Sequence, residues 1–165
     1  MIDCDTNPPV ECRQLDDASL RKLGNIHPDL YKVVIYARGH SKVEFVVDCG
    51  QRNKEQQRKY VKQGTSTTMN SKHLVQPDGY AHAVDLVPVV GGKRSWDWKL
   101  IYQIAEAMRE SAQHHNVEVT WGGFWGTVND TKKPLEDIVN DYVRGRKDKV
   151  QRVFLDGPHF ELKTS

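Results

Sequence analysis

Two short stretches of this chain alternate residue types at the period of a β-strand, and each carries a chemically active side chain on one face. In His82-Ala83-Val84-Asp85-Leu86-Val87, a strand points Val84 and Leu86 to one side and Ala83, Asp85 and Val87 to the other. His82 then falls opposite Asp85. In Pro158-His159-Phe160-Glu161-Leu162, the same alternation buries Phe160 and Leu162 and turns His159 and Glu161 together to the other face. An acid between Val84 and Leu86 inside an apolar strand is costly unless something pairs with it. A fold built on these strands therefore has to bring Asp85 a partner.

The rest of the chain supplies a scaffold for such a sheet. Asp16 to Leu23 and Pro28 to Arg38 carry helical patterns, Val43 to Asp48 is a short β-rich run, and Lys54 to Gln63 reads as a polar helix after a turn. The longest helix candidate runs from Trp98 to His114, where Ile101, Ile104, Ala105, Met108 and Ser111 or Ala112 form one stripe. Such a stripe is the mark of a core-facing helix. Val117 to Trp121 reads as a strand before Gly122-Gly123. With no internal repeat or low-complexity segment, the strands near Val43, Val84, Val119 and Phe160 assemble into an α+β fold, one small, mainly antiparallel sheet backed by helices.

The reactive residues fall close to these strands. Ser71-Lys72-His73 precedes the first, and Asp156 stands three residues before His159. A catalytic zinc site takes about three protein ligands from His, Asp, Glu or Cys and keeps one position open for water. Two imidazoles and a carboxylate meet that minimum. His73 comes from a loop and escapes the alternation rule, whereas His82 competes for its place only if its segment is not a strand. Asp156 precedes Gly157-Pro158, where Asp also serves simply to shape a turn. Glu161 shares a face with His159, which suits it as a rival base or as the group orienting that imidazole. His27, His40, His114 and His115 are expected to be surface or cap histidines, Trp121 and Trp125 to be core and rim, and Arg52 is by default a solvated charge.

Ser71-Lys72-His73, then Gly79, Ala83 and Asp85, then Asp156-Gly157-Pro158-His159-Phe160-Glu161-Leu162 resemble the zinc peptidase family of D-Ala-D-Ala carboxypeptidases and phage L-alanyl-D-glutamate endopeptidases. Single-domain phage endolysins look most similar. Supporting pieces are Leu23 to Leu30, Cys49-Gly50-Gln51-Arg52 with Glu55 and Gln56, Val87 to Val90, Trp96-Asp97-Trp98 and Trp121 to Trp125. The resemblance implies zinc held by His73, Asp85 and His159 on the sheet, and Asp156 as the catalytic carboxylate. It also implies Arg52 as a substrate or oxyanion clamp and Ser71 as a helper that hydrogen-bonds substrate or ligand. The implied activity is hydrolysis of peptidoglycan stem peptides, at the L-alanyl-D-glutamate bond, for host lysis. A D-Ala-D-Ala carboxypeptidase or dipeptidase is the alternative, and a non-catalytic zinc-binding module, as in hedgehog domains, the more distant one.

Two departures accompany the resemblance. Eleven residues lie between His73 and Asp85, more than the family usually has, and Pro77-Asp78-Gly79 suits an enlarged turn that bulges outward. A longer insertion occupies about 127–152, where Leu135, Ile138, Val139, Tyr142 and Val143 repeat at helical spacing after Pro134. It is expected to act as a lid beside the site or as a packed decoration.

Composition narrows the partners. At 165 residues without a Pro- or Gly/Ser-rich linker, one catalytic domain is expected and a separate wall-binding domain is not evident. The net charge of +2 is too slight to imply nucleic-acid binding, though it helps approach to an anionic envelope. Cys4, Cys12 and Cys49 are odd in number and lack ribbon spacing, so reduced, structural thiols are expected. No apolar run suits a signal peptide or a membrane span. Synthesis in the host cytoplasm, action at the wall after release by a separate factor, and a monomer are the corresponding expectations.

Overall fold

The computed structural model describes residues 13–66 and 68–163. Cys4 and Cys12 lie outside that range, and Cys49 is a free thiol. The helices are α1 (Asp17–Lys22), α2 (Pro28–His40), α3 (Lys54–Lys62), α4 (Trp98–His115) and α5 (Leu135–Asp148). The strands are β1 (Phe45–Cys49), β2 (Ala83–Val90), β3 (Lys93–Arg94), β4 (Val119–Trp121), β5 (Gly126–Thr127) and β6 (His159–Leu162). Local chemistry sets the helix ends. The Asp16 carboxylate accepts the Ser19 N–H at 2.9 Å to start α1, and Asn53 and Gln56 close a reciprocal capping box on α3. His27, expected to be a surface or cap residue, accepts the Asp29 N–H at Nδ1, 3.0 Å away, and caps α2. Asn116 ends α4 in the left-handed conformation at φ 54°, which Asn tolerates better than most side chains.

The sheet is antiparallel in order β1-β2-β6-β4-β5, with β3 pairing β2 to one side. It joins the four strands read from the sequence. The two-residue strands β3 and β5 were too short to show a period. One face packs on α2 and α4: Leu30, Val33, Val34 and Ala37 meet Ile101, Ile104, Ala105, Met108 and Ala112 above Phe45, Val47, Val84, Leu86, Trp121 and Phe160. Each large apolar side chain buried this way contributes about 1.5–3 kcal/mol. Two polar side chains within this core find partners: Ser111 Oγ donates to Val33 O at 2.6 Å and Trp121 Nε1 to Gly157 O at 2.6 Å.

The segment from 127 to 152 holds a 3₁₀ turn (Val128–Asp130) and α5. Leu135 and Val139 are buried, with Ile138 and Val143 packed against the core. Glu106 on α4 accepts the Leu135 N–H at 2.8 Å and holds Arg109 in an ion pair. These contacts tie the start of α5 to α4.

Candidate active site

Strand register brings the reactive residues together. Asp85 pairs directly with His159 across β2 and β6, and with Cys49 across β1 and β2 beside a bulge between Val47 and Cys49. Directly opposed residues place their Cβ atoms about 4.5–5.5 Å apart. Cys49, Asp85 and His159 therefore form a row across three neighbouring strands. His73 joins them from the loop after α3, where Ser71 Oγ accepts its N–H at 3.1 Å and its carbonyl accepts the Arg52 N–H at 2.8 Å.

Each histidine ring is oriented by a partner behind it. His73 Nδ1 is 2.7 Å from the Gly50 carbonyl, which only accepts, so Nδ1 carries the hydrogen and the neutral ring turns an Nε2 lone pair forward. That Nε2 is buried without a hydrogen-bond partner, 3.3 Å from Asp85 Oδ1. His159 Nε2 lies 2.8 Å from Glu161 Oε2 and Nδ1 lies 3.3 Å from the same Asp85 oxygen. His73 Nε2 and His159 Nδ1 thus face one carboxylate oxygen, and wherever either nitrogen carries no proton its lone pair repels that oxygen unless a cation lies among them.

A proton or a metal ion meets that need. Burial opposes charge on both histidines, but Asp85 and Cys49 push His73 up to about 10, and Asp85 and Glu161 push His159 up to about 9. Burial raises the Asp85 carboxyl, yet the two imidazoles outweigh it and hold the group well below the usual carboxylate range. The donors also suit zinc, because two ligands about 2.0–2.1 Å from a tetrahedral ion lie ~3.3 Å apart. Among the described residues, the compact donor groups here are Cys49-His73-Asp85 and Asp85-Asp156-His159, each with its atoms within 4.8 Å of one another. Asp85 belongs to both.

The surrounding residues have separable positions. The Arg52 guanidinium lies behind Asp85, with Nη2 3.3 Å from Oδ2, Nη1 3.0 Å from Gln57 Oε1, Nε 3.2 Å from Cys49 Sγ and Cζ 4.3 Å from the Tyr60 ring centroid. Two of its five N–H bonds remain uncommitted among the described residues. Glu161 is occupied with His159, while the Asp156 carboxylate accepts no hydrogen bond among the described residues. Burial first, and the Asp85 charge second, raise the Asp156 carboxyl. Gly122 lets that segment approach: a Cβ there would collide with the Asp156 carbonyl oxygen, and the Asp156 N–H donates to Gly122 O at 3.0 Å.

His82 stays outside this group. Its Nε2 is 2.6 Å from Asp78 Oδ2, in the enlarged loop, which closes on itself through Gln76 N to Tyr80 O at 2.8 Å and a bridge between Val75 and Ala81. Gly79 at φ 90° supplies the turn. The extra residues bulge out and leave His73 and Asp85 free to meet. Cys49 is the neighbour that sequence reasoning left without a role. Its signal was its place at the end of a strand before Gly50, but only the pairing with β2 puts it beside Asp85.

Two strand residues, Asp85 and His159, and two loop residues, His73 and the partly buried Asp156, thus bring together the kinds of side chain that a hydrolytic metal centre uses. The chain belongs to the family of phage L-alanyl-D-glutamate peptidases, whose pattern matches residues 12–163. The crystal structure of Serratia marcescens L-Ala D-Glu endopeptidase ChiX is similar at 32% identity, covering 92% of this chain and 91% of that one with a TM-score of 0.67. No curated protein sequence matches the chain. Among the described residues, no helix is long and apolar enough to cross a membrane.

Proposed function

We propose that this peptidoglycan peptidase is a zinc endopeptidase that hydrolyses the L-alanyl-D-glutamate bond of stem peptides in host lysis. The observation that carries the metal assignment is the buried His73 Nε2, which has no hydrogen-bond partner and faces Asp85 Oδ1 opposite a second imidazole nitrogen. His73, Asp85 and His159 would hold the ion. Zinc bound there supplies Lewis acidity toward the scissile carbonyl and a water molecule of lowered pKa.

The chain's own groups do the remaining work. Gly50 O and Glu161 hold the two rings in the ligating tautomer. Arg52 fixes Asp85 through Oδ2 and leaves Oδ1 to the metal, and its spare N–H bonds are available to substrate or to the developing oxyanion. Ser71 shapes the His73 loop. Asp156, partly buried and uncommitted, takes the proton of the attacking water and returns it to the leaving amine. Its raised pKa suits both halves of that exchange. Water is the nucleophile, so no acyl-enzyme forms.

Synthesis in the cytoplasm and delivery to the wall by a separate factor complete the reading, with the chain acting as a monomer. Digestion of purified peptidoglycan, with the new termini identified by mass spectrometry, tests the bond: new L-alanine carboxyl and D-glutamate amino termini are expected. Products ending only at D-alanine would replace the proposed specificity with the carboxypeptidase one.

A further inference from the structure

Trp125 sits at the rim of the site in a conformation that needs a reason. Its φ of 55° lies in the left-handed region that favours glycine, although Gly122, Gly123 and Gly126 are its near neighbours in sequence. Its own N–H donates to Trp121 O at 2.8 Å and its Nε1 donates to Phe154 O at 2.9 Å. The indole lies 5.5 Å from the His159 ring and stacks on Phe154 at 5.8 Å and 14°. Trp125 is 36% exposed and Phe154 41%. Two aromatic rings from either end of the 127–152 segment thus make one partly open wall against a proposed metal ligand.

We propose that Trp125 and Phe154 form a subsite for the sugar that carries the stem peptide, an inference that rests on the endopeptidase reading above. In peptidoglycan the L-alanine of the scissile bond is joined through a lactyl ether to an N-acetylated pyranose. Alanine and lactyl together reach ~7 Å, two residue lengths of extended chain. That reach matches a wall beside His159 rather than one in the zinc pocket itself. The wall is also larger than an alanyl methyl group requires, and a pyranose offers a broad C–H face to the electron-rich face of an aromatic ring. Holding indole and phenyl in a parallel stack presents such a face preformed, which gives the left-handed backbone of Trp125 a function.

The test uses the zinc-loaded full chain and two substrates with the same peptide, one bearing the disaccharide and one free of sugar. Wild type should show the lower KM on the sugar-bearing substrate. Trp125→Ala should raise that KM by a factor roughly ten larger than it raises the KM of the free peptide, with the change in KM rather than kcat. Trp125→Phe should recover part of the difference. Trp125→Gly, which accepts the left-handed backbone without strain, should lose sugar preference as Trp125→Ala does while folding at least as well. Equal losses on both substrates, losses confined to kcat, or no loss at all would overturn the subsite and leave the endopeptidase intact. Wild type that cleaves neither substrate would overturn the activity and the subsite together.

Discussion

The chain contains two clusters of histidine and aspartate that look alike in composition and differ in how their rings are held. One links His73 and His159 through their shared contact with Asp85; the other joins His27, Asp78 and His82. In the first, a backbone carbonyl and a carboxylate partner the outer ring nitrogens, so the inner nitrogens both face the partly buried Asp85. In the second, His27 Nδ1 is spent accepting the Asp29 N–H, so its hydrogen is left on Nε2, toward Asp78. His82 points its Nε2 at the exposed Asp78 from 2.6 Å. Residue type and proximity are therefore insufficient for a metal site. What stands behind each ring decides which nitrogen can ligate.

The sharpest break in that comparison comes from deleting ligands. Alanine at His73, Asp85 or His159 should abolish both the zinc, expected at about one per chain, and wall hydrolysis, whereas His82→Ala should retain both. Metal content and turbidity clearance measured side by side decide it, and loss of zinc in His82→Ala alone would reverse the two clusters. Chelation should likewise remove activity, with zinc restoring it. Full hydrolysis by a verified metal-free preparation would end the zinc assignment.

Next in size is Asp156→Asn, which keeps shape while removing the proton acceptor. Its kcat should fall about 10²–10⁴-fold with zinc stoichiometry unchanged. Glu161→Gln should cost less, about 10–100-fold in zinc affinity or activity, because it weakens the hold on the His159 tautomer. A zinc-loaded, inactive Glu161→Gln protein beside an active Asp156→Asn protein would exchange the two roles.

The clusters should also separate by pH once metal is removed. His73 and His159 have folded pKa values of about 10 and about 9, above their ordinary 6.5. Their contribution to stability is therefore fully present below pH 6.5 and is lost as pH rises through 9 to 10. Asp85, depressed from 3.8, contributes above that value and loses its contribution as pH falls toward its folded pKa. Thermal melts of chelated protein should decline on the alkaline side, and zinc should suppress that decline by replacing the protons. A flat alkaline profile in the chelated protein would show that the histidines do not hold protons as the geometry requires. The smallest effect belongs to His27→Ala, which removes the α2 cap at a cost on the order of 1 kcal/mol and should leave zinc binding untouched.

Much of this molecule was determined by local sequence. The caps Asp16, Asn53 and Asp97 sit where the helices begin, and the α4 stripe from Ile101 to Ala112 is buried as its spacing implies. Alternation placed Phe160 in the core and His159 on the other face of β6, because side-chain direction in a strand depends only on parity. The same rule separated His82 from Asp85. Tertiary structure decided what parity leaves open. The register pairing Asp85 with both His159 and Cys49 depends on which strands meet and on the bulge before Cys49. The lone pair of His73 depends on Gly50, 23 residues away, and the position of Asp156 depends on the close approach that Gly122 allows. Trp125 and Phe154, 29 residues apart, became a wall only when the intervening segment folded back onto α4. Periodicity reports a residue's own backbone, whereas hydrogen-bond partners, tautomers and shared faces belong to contacts between distant segments, which no local pattern records.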